Sequence, residues 1–404
     1  MRIDHSTLRD ADVQDYACGL LHEHLHLGDY SKTCPAAALY AVLLYAAAYR
    51  ITIHAACQEL YEVPCDQTVY DALAELLPAQ DQLLRRLNAA LAATLPRSVR
   101  KGKATRRYPV AIDLQLIPYY GRPHASEDEL YQGQRGPGTN TYHAYATAYL
   151  CYRGRRYTLA ILGVHDSQPW QDIVRTLLRL VKKVIGGFRM VLLDRGFWSV
   201  AVIRYLYRAR YPFIMPVIGR GRRPNHPRGP SATNVFFTWR RSGTAQYTLT
   251  EHRGKETASV TIAVKVVRWR RPRQGQQRHG LRALVFAVWG VSAASAAALL
   301  HVQQTYRKRF GIETSYRQMN EGKGRTTKKD VCYRLLLVGL ALLLRQVWVW
   351  LSGQLARDRG ARPTQWLGEL PLRRLLDWLS DAVRQRYKEE RRIELQRPLL
   401  DLAG

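Results

Sequence analysis

The chain has 404 residues, 47% of them hydrophobic, which is enough for two or three domains with cores of their own and excludes a disordered tail. Lys and Arg number 62 against 32 Asp and Glu, a net charge of +30, which excludes an ordinary enzyme of small molecules and implies a polyanionic partner, nucleic acid first. The six cysteines form no CxxC pair, which argues against a zinc ribbon and a secreted disulfide framework. The N-terminus has no apolar signal core, so a reducing, cytoplasmic (nucleoid-associated) setting is expected.

Residues 1–105 have the texture of a helical domain, with periodic stretches such as CPAAALYAVLLYAAAYR and DQLLRRLNAALAATL. Within it, ITIHAACQELYEVPCDQTVYDALAELL reads as a short helix, a turn at Pro64, an N-cap at Asp66 and a second helix to Leu77. That is helix-turn-helix spacing, which would bring Gln67, Thr68 and Tyr70 to a DNA groove, although plain helical bundles use the same spacing. His22, His24 and His26 near Cys18 alternate along a short segment and do not converge on one metal.

From Tyr108 strands take over: YPVAIDLQLIPYYG, TYHAYATAYLCYRG and RRYTLAILGVHD, an expected antiparallel meander. A helix over QPWQDIVRTLLRLVKKVIGG ends on a glycine pair. A fourth strand then runs into Asp194, with a helix and the fifth strand YPFIMPVI behind it. The order β-β-β-α-β-α-β describes an α/β RNase H-like mixed sheet. Its first part is expected over 106–218, a β-rich insertion over 219–290, the second part over 291–350 and a helical C-terminal region over 351–404. Between Gly196 and Arg282 there are 18 Lys or Arg against only Glu251 and Glu256, so this stretch holds about half the excess charge and is the expected phosphate-contacting surface. The longest apolar run, Leu335 to Leu344, is too short to span a bilayer and reads as a buried helix, so no membrane is expected.

In a chain this basic the acids are informative. Phosphodiester cleavage with two divalent cations needs two or three carboxylates around a pair of ions about 4 Å apart. Asp113 sits amid the apolar residues of the first strand, where a buried carboxylate needs a partner. Asp194 ends the fourth strand, a neighbour of the first in such a sheet. Glu313 follows Tyr306 and Arg309 and precedes Arg317 at helical offsets that place all four on one face. Each has a plainer reading: Asp194 as a helix cap, and Arg309, Glu313 and Arg317 as surface ion pairs. His165-Asp166 is an alternative acid position that fits a turn or cap better, and the SEDEL run fits a solvated loop.

Around these residues the chain resembles the DDE transposases of bacterial and archaeal insertion sequences, in the cut-and-paste branch with a β-rich insertion before the catalytic Glu. The resemblance covers about Tyr108 to Trp350. It is carried by AIDLQLIPYYG, VLLDRGFWS and YRKRFGIETSYRQM, the last matching the family's Tyr-two-Arg-three-Glu signature at Tyr306, Arg309 and Glu313. The Lys that usually follows seven residues after the Glu is Asn320 here, with Lys323 three further on.

The resemblance implies two Mg²⁺ or Mn²⁺ ions on Asp113, Asp194 and Glu313. It implies hydrolysis at transposon ends and attack of the freed 3′-OH groups on target DNA. Tyr306, Arg309, Arg317 and Lys323 would contact the DNA. An insertion aromatic would stack on a flipped base, with Trp289 the first candidate and Trp239 or Trp269 as alternatives. The implied partners are double-stranded DNA, both the terminal inverted repeats and the target, and a second copy of the chain. The competing functions are an RNase H-fold nuclease that cuts without joining and a DNA-binding protein that has lost the chemistry.

Overall fold

The computed structural model describes residues 8–100, 103–123, 125–126, 129–136, 138–152, 155–251, 255–273, 276–358 and 370–388; the side chains of 103–104, 269–273, 276–279 and 356–358 fall outside the description. The Trp269 side chain and two of the three acids of the SEDEL run, Glu127 and Asp128, therefore lie outside the described residues. The chain divides into two compact units, Met1–Ala90 with Arg317–Gly404, and Leu91–Tyr316.

The first unit is helical: α1 (Asp10–Leu25), α2 (Ala36–Tyr49), α3 (Ile53–Glu59), α4 (Asp66–Leu76), α10 (Val331–Asp358) and α11 (Leu372–Tyr387), with most of α5 (Gln80–Ala93) and the C-terminal half of α9 (Gly311–Glu321). Helix α2 is apolar all round and almost wholly buried. Helix α10 is the one described helix long and apolar enough to cross a membrane, and 94% of its apolar window is buried inside the protein, as in a core helix. Leu375, Leu376, Leu379 and Val383 recur at helical spacing on α11 and are also buried. The N-cap expected at Asp66 is one residue late. Cys65 takes the cap position in extended backbone, and Asp66 is the first helical residue, its carboxylate 2.8 Å from His54 Nδ1. This hydrogen bond spans the α3–α4 turn.

The second unit is built on one mixed sheet. Its strands are β1 (Val110–Pro118), β2 (Tyr131–Gln132), β3 (Thr141–Tyr152), β4 (Arg155–Val164), β5 (Val191–Leu193), β6 (Phe213–Pro216), β7 (Gly243–Glu251), β8 (Glu256–Arg273) and β9 (Gln276–Trp289). The order in space is β2-β3-β1-β5-β6-β9-β8-β7, with β4 also on β3. Strands β1, β5 and β6 run parallel, whereas β3 and β9 run antiparallel to their neighbours β1 and β6.

The parallel strands are joined through α6 (Trp170–Ile185) and α7 (Val200–Arg208), which bury one face each: Ile173, Val174, Leu177, Leu178 and Val181 on α6, and Val202, Ile203 and Leu206 on α7. Strand alternation then sorts the sheet's side chains. Phe213 packs on Tyr207 of α7. Its neighbour Ile214 points the other way, into a core with Ala111, Leu192, Phe286, Val288, Leu299, Val302, Tyr306 and Ile312 that is covered by α8 (Ala296–Arg307) and α9.

Candidate active site

The same alternation places the acids. Ala111 and Leu192 face the α8 side, so Asp113 and Asp194, each two residues on, face it too. Ile112 pairs with Leu193 across the parallel ladder, which puts Asp113 and Asp194 side by side where β5 ends. Asp194 makes no side-chain cap bond to the turn behind it, and the N-cap of α7 is Ser199, whose hydroxyl accepts from the Val202 amide. The helix-cap alternative for Asp194 is thereby removed.

What meets the two carboxylates is Arg309. Its Nη2 lies 2.8 Å from Asp113 Oδ1 and 3.4 Å from Asp194 Oδ1, so both acids converge on one cationic nitrogen. The Arg309 and Asp113 side chains are 5% and 11% exposed, and that of Asp194 is 38% exposed, so Asp113 is the committed partner and Asp194 the accessible one. Burial pushes the Asp113 carboxyl up to about 6. Arg309 and the Leu114 amide, which donates to Oδ1 at 2.9 Å, oppose the rise, and the Asp194 charge adds to it. The guanidinium itself is held in its charged form by Asp113, against the cost of burial.

Tyr306, Arg309, Glu313 and Arg317 do not lie on one continuous helix, as their spacing suggested. Helix α8 ends at Arg307, a 3₁₀ turn spans Lys308–Phe310, and α9 begins at Gly311. Packing is close where α9 begins: a Cβ at Gly311 would run into the Arg156 guanidinium. The expected surface ion pairs do not form either: Arg309 is buried on the aspartates, while Glu313 and Arg317 are exposed. Tyr306 is buried against Phe286, with ring centroids 5.2 Å apart, and near the Arg309 guanidinium. Burial drives its phenol pKa up, so it stays protonated. Behind it, Tyr316 Oη shares a 2.6 Å hydrogen bond with Thr147.

These groups line a cleft of about 690 Å³ that holds Asp113, Asp194, Glu313, Tyr306 and Arg309 together. Sequence reasoning missed Arg195, Arg282, Arg307, Gln303, Phe237 and Phe310 in the same cleft. Arg282 was within reach of it: it shares strand parity with Leu284 and Phe286, and so their face of β9. With four arginines against three acids, the cleft has a formal excess of one positive charge and is suited to an anionic chain with the acids at its centre. The donor set is all carboxylate oxygen, the hard type that suits Mg²⁺ or Mn²⁺. Among the described residues, no group of three or more His, Cys, Asp or Glu side chains is drawn together tightly enough to hold a metal ion. The two aspartates converge, and Glu313 lines the same cleft without closing on them.

The other candidates lie elsewhere. Trp289 is the last residue of β9, paired with Phe213, and its ring packs on Tyr207 at 5.2 Å. It therefore faces α7, the side of the sheet opposite to the carboxylates. Trp239 packs against Phe236, away from the cleft lining. Gln67 is exposed on α4 and donates to Asp71 at 2.7 Å, and the Thr68 hydroxyl pairs with Cys65 Sγ. Arg317 and Lys323 belong to the helical unit. Lys323 is largely buried, and that burial, with Arg334 and Arg50 nearby, lowers its pKa to about 8.

No family model and no curated protein matches the chain. Among solved structures it is similar to a piggyBac transposase, determined as a synaptic complex with hairpin DNA. The match has a TM-score of 0.52 at 11% identity and covers 96% of this chain and 84% of that one. The likeness is one of fold: a mixed multi-stranded sheet flanked by helices.

Proposed function

We propose that the protein is a DNA transposase of the DDE type, with β1, β3, β4, β5 and β6 as an RNase H-like core and β7–β9 as a β-rich insertion into it. The observation that carries the reading is the convergence of Asp113 and Asp194, from adjacent strands, on Arg309 Nη2 within an arginine-lined cleft. The fold it shares with a DNA-bound transposase supports the same reading.

Asp113 and Asp194 would hold the divalent cations, with Glu313 reaching in from α9 as the third ligand. Two such ions would supply activation of the attacking oxygen and stabilisation of the leaving one. The chain's own groups do the rest. Arg195, Arg282 and Arg307 draw the phosphodiester backbone into the cleft. The Tyr306 phenol, protonated at neutral pH, is a hydrogen-bond donor for a phosphate oxygen. Arg309 offsets the charge of the paired aspartates and fixes their spacing.

In the proposed reaction water attacks the phosphorus at the transposon end and the P–O3′ bond breaks. The freed 3′-OH then displaces a target-strand 3′ oxygen in the same way. Two ends must be joined at once, so a dimer on DNA is part of the proposal.

The test is to incubate wild type and Asp113→Asn, Asp194→Asn and Glu313→Gln variants with labelled end DNA and Mg²⁺. Metal-dependent nicking and strand joining by wild type, lost in each variant with DNA binding retained, is the expected result. Cleavage without joining would identify a nuclease, and binding with no cleavage a DNA-binding protein.

A further inference from the structure

The segment from Asp194 to Val200 carries one of the two paired aspartates, and two of its backbone groups are held by side chains from outside it. The Val200 amide, at the start of α7, donates to Glu251 Oε2 at 3.0 Å. The Trp198 carbonyl accepts from Arg220 Nη2 at 3.4 Å, and the same guanidinium lies 3.4 to 3.5 Å from Glu251 Oε1. Glu251 is the last residue of β7, and Arg220 lies in the segment that follows β6. Helix α7 is tied further to β8: Arg204 Nε donates to the Thr257 carbonyl at 2.8 Å, and Tyr207 Oη donates to the Ser259 carbonyl. In a stretch with 18 basic residues and only two acids, one of the two acids is spent on this contact. The Glu251 side chain is 20% exposed, which makes it a poor choice for a solvated surface charge.

We infer that Glu251 is a positioning residue for Asp194: with Arg220 it clamps the Trp198 carbonyl and the Val200 amide, so that the β7–β9 ribbon sets where the Asp194 carboxylate stands relative to Asp113. The inference rests on the proposed DDE function and adds to it that the ribbon acts on the metal-holding loop as well as on DNA. The geometry is direct. Val191–Leu193 is only three residues long and pairs with β1 on one side and β6 on the other, so Asp194 leaves the sheet at once. Its position beyond that point depends on what holds the following six residues. Phe197 and Trp198 are buried and anchor the segment by packing, Phe197 on Trp170. Glu251 and Arg220 supply its polar anchors, and both groups they hold lie within six residues of the carboxylate. Misplacement of a reacting group by about 1 Å costs on the order of 100-fold in rate, so a loosened loop has a measurable effect.

The experiment compares wild type with Glu251→Ala, Glu251→Gln and, as a control on the same strand, Gln246→Ala. Gln246 donates to Thr261 across β7–β8 and plays no part in the clamp. Four quantities are read for each: amide hydrogen exchange of residues 194–202, the Mg²⁺ concentration for half-maximal end cleavage, the rate of that cleavage, and affinity for end DNA. Glu251→Ala should raise exchange at Val200, raise the half-saturating Mg²⁺ several-fold, and lower the cleavage rate by about 10- to 100-fold, with DNA affinity within about twofold. Glu251→Gln keeps an acceptor for Val200 and loses the charge facing Arg220, so it should fall between, and Gln246→Ala should match wild type.

Unchanged exchange and unchanged Mg²⁺ dependence in a folded Glu251→Ala protein would overturn the inference. So would a loss of cleavage that merely follows a loss of DNA affinity. If wild type shows no metal-dependent cleavage, the functional reading fails and the positioning role with it. The exchange data alone would then report a structural clamp, so the two failures are distinguishable.

Discussion

Replacing Arg309 with Met removes a cation from between two acids while keeping most of the side-chain volume. The partner at 2.8 Å, Asp113, is buried, and the contact to half-exposed Asp194 at 3.4 Å is screened by solvent, so the cost falls on Asp113. Breaking a buried pair from one side costs about 3–5 kcal/mol, and the low end applies here because the Leu114 amide still satisfies Asp113 Oδ1. About 3 kcal/mol in a unit of this size corresponds to a fall of about 6–12 °C in the Tm of its transition.

The sign of the pH dependence follows from the carboxyl. The Asp113 pKa is raised to about 6 in the folded protein, so between about pH 4 and 6 the folded state takes up a proton that the unfolded chain does not. This group's contribution to stability is therefore present at low pH and lost as pH rises through about 6. Without Arg309 the folded pKa moves higher still. The difference between Arg309→Met and wild type should be small at pH 5 and full at pH 8. Calorimetry across that range checks it, with Asp113→Asn and the double variant completing a cycle. A destabilisation equal at pH 5 and pH 8, or equal in the Asp113→Asn background, would refute the account.

Further outcomes follow for Lys323 and Trp289. Lys323, its pKa lowered to about 8, should lose its charge as pH rises through that value. The part of DNA affinity that depends on this side chain should then decline from pH 7.5 to 9.5 in wild type, and no such decline should occur in Lys323→Met. Over about pH 8 to 10.5 the folded state holds fewer protons than the unfolded one, so stability of the helical unit should rise with pH there, as thermal melts of the two proteins would show. Trp289→Ala should behave as a loss of packing against Tyr207, costing about 3 kcal/mol with the cleavage of folded protein unchanged. Loss of strand processing at unchanged stability would restore its candidacy as a base-stacking residue.

Much of the site was legible in the chain because it rests on period and scarcity. Alternation in VAIDLQL made Asp113 the misplaced polar residue, the apolar run VLL ended on Asp194, and acids are few in so basic a sequence. What local pattern could not supply is whatever depends on contacts between distant segments. Tyr306 to Arg317 reads as one amphipathic helix, yet it is interrupted by a 3₁₀ turn over Lys308–Phe310, where Arg309 meets aspartates more than 100 residues earlier in the chain. Four-residue spacing promised Arg309 to Glu313, whereas the sheet offered two acids on adjacent strands at 2.8 and 3.4 Å.

Trp289 and Val288 are equally apolar neighbours in sequence, and only the register of β9 on β6 decides that Trp289 faces α7 and its neighbour the core beneath α8. Composition, periodicity and the chemical identity of the acids were thus set by the sequence itself. Which acid meets which cation, and on which face of the sheet, was decided by long-range packing, because strand register and helix breaks are properties of neighbours that the linear order does not name.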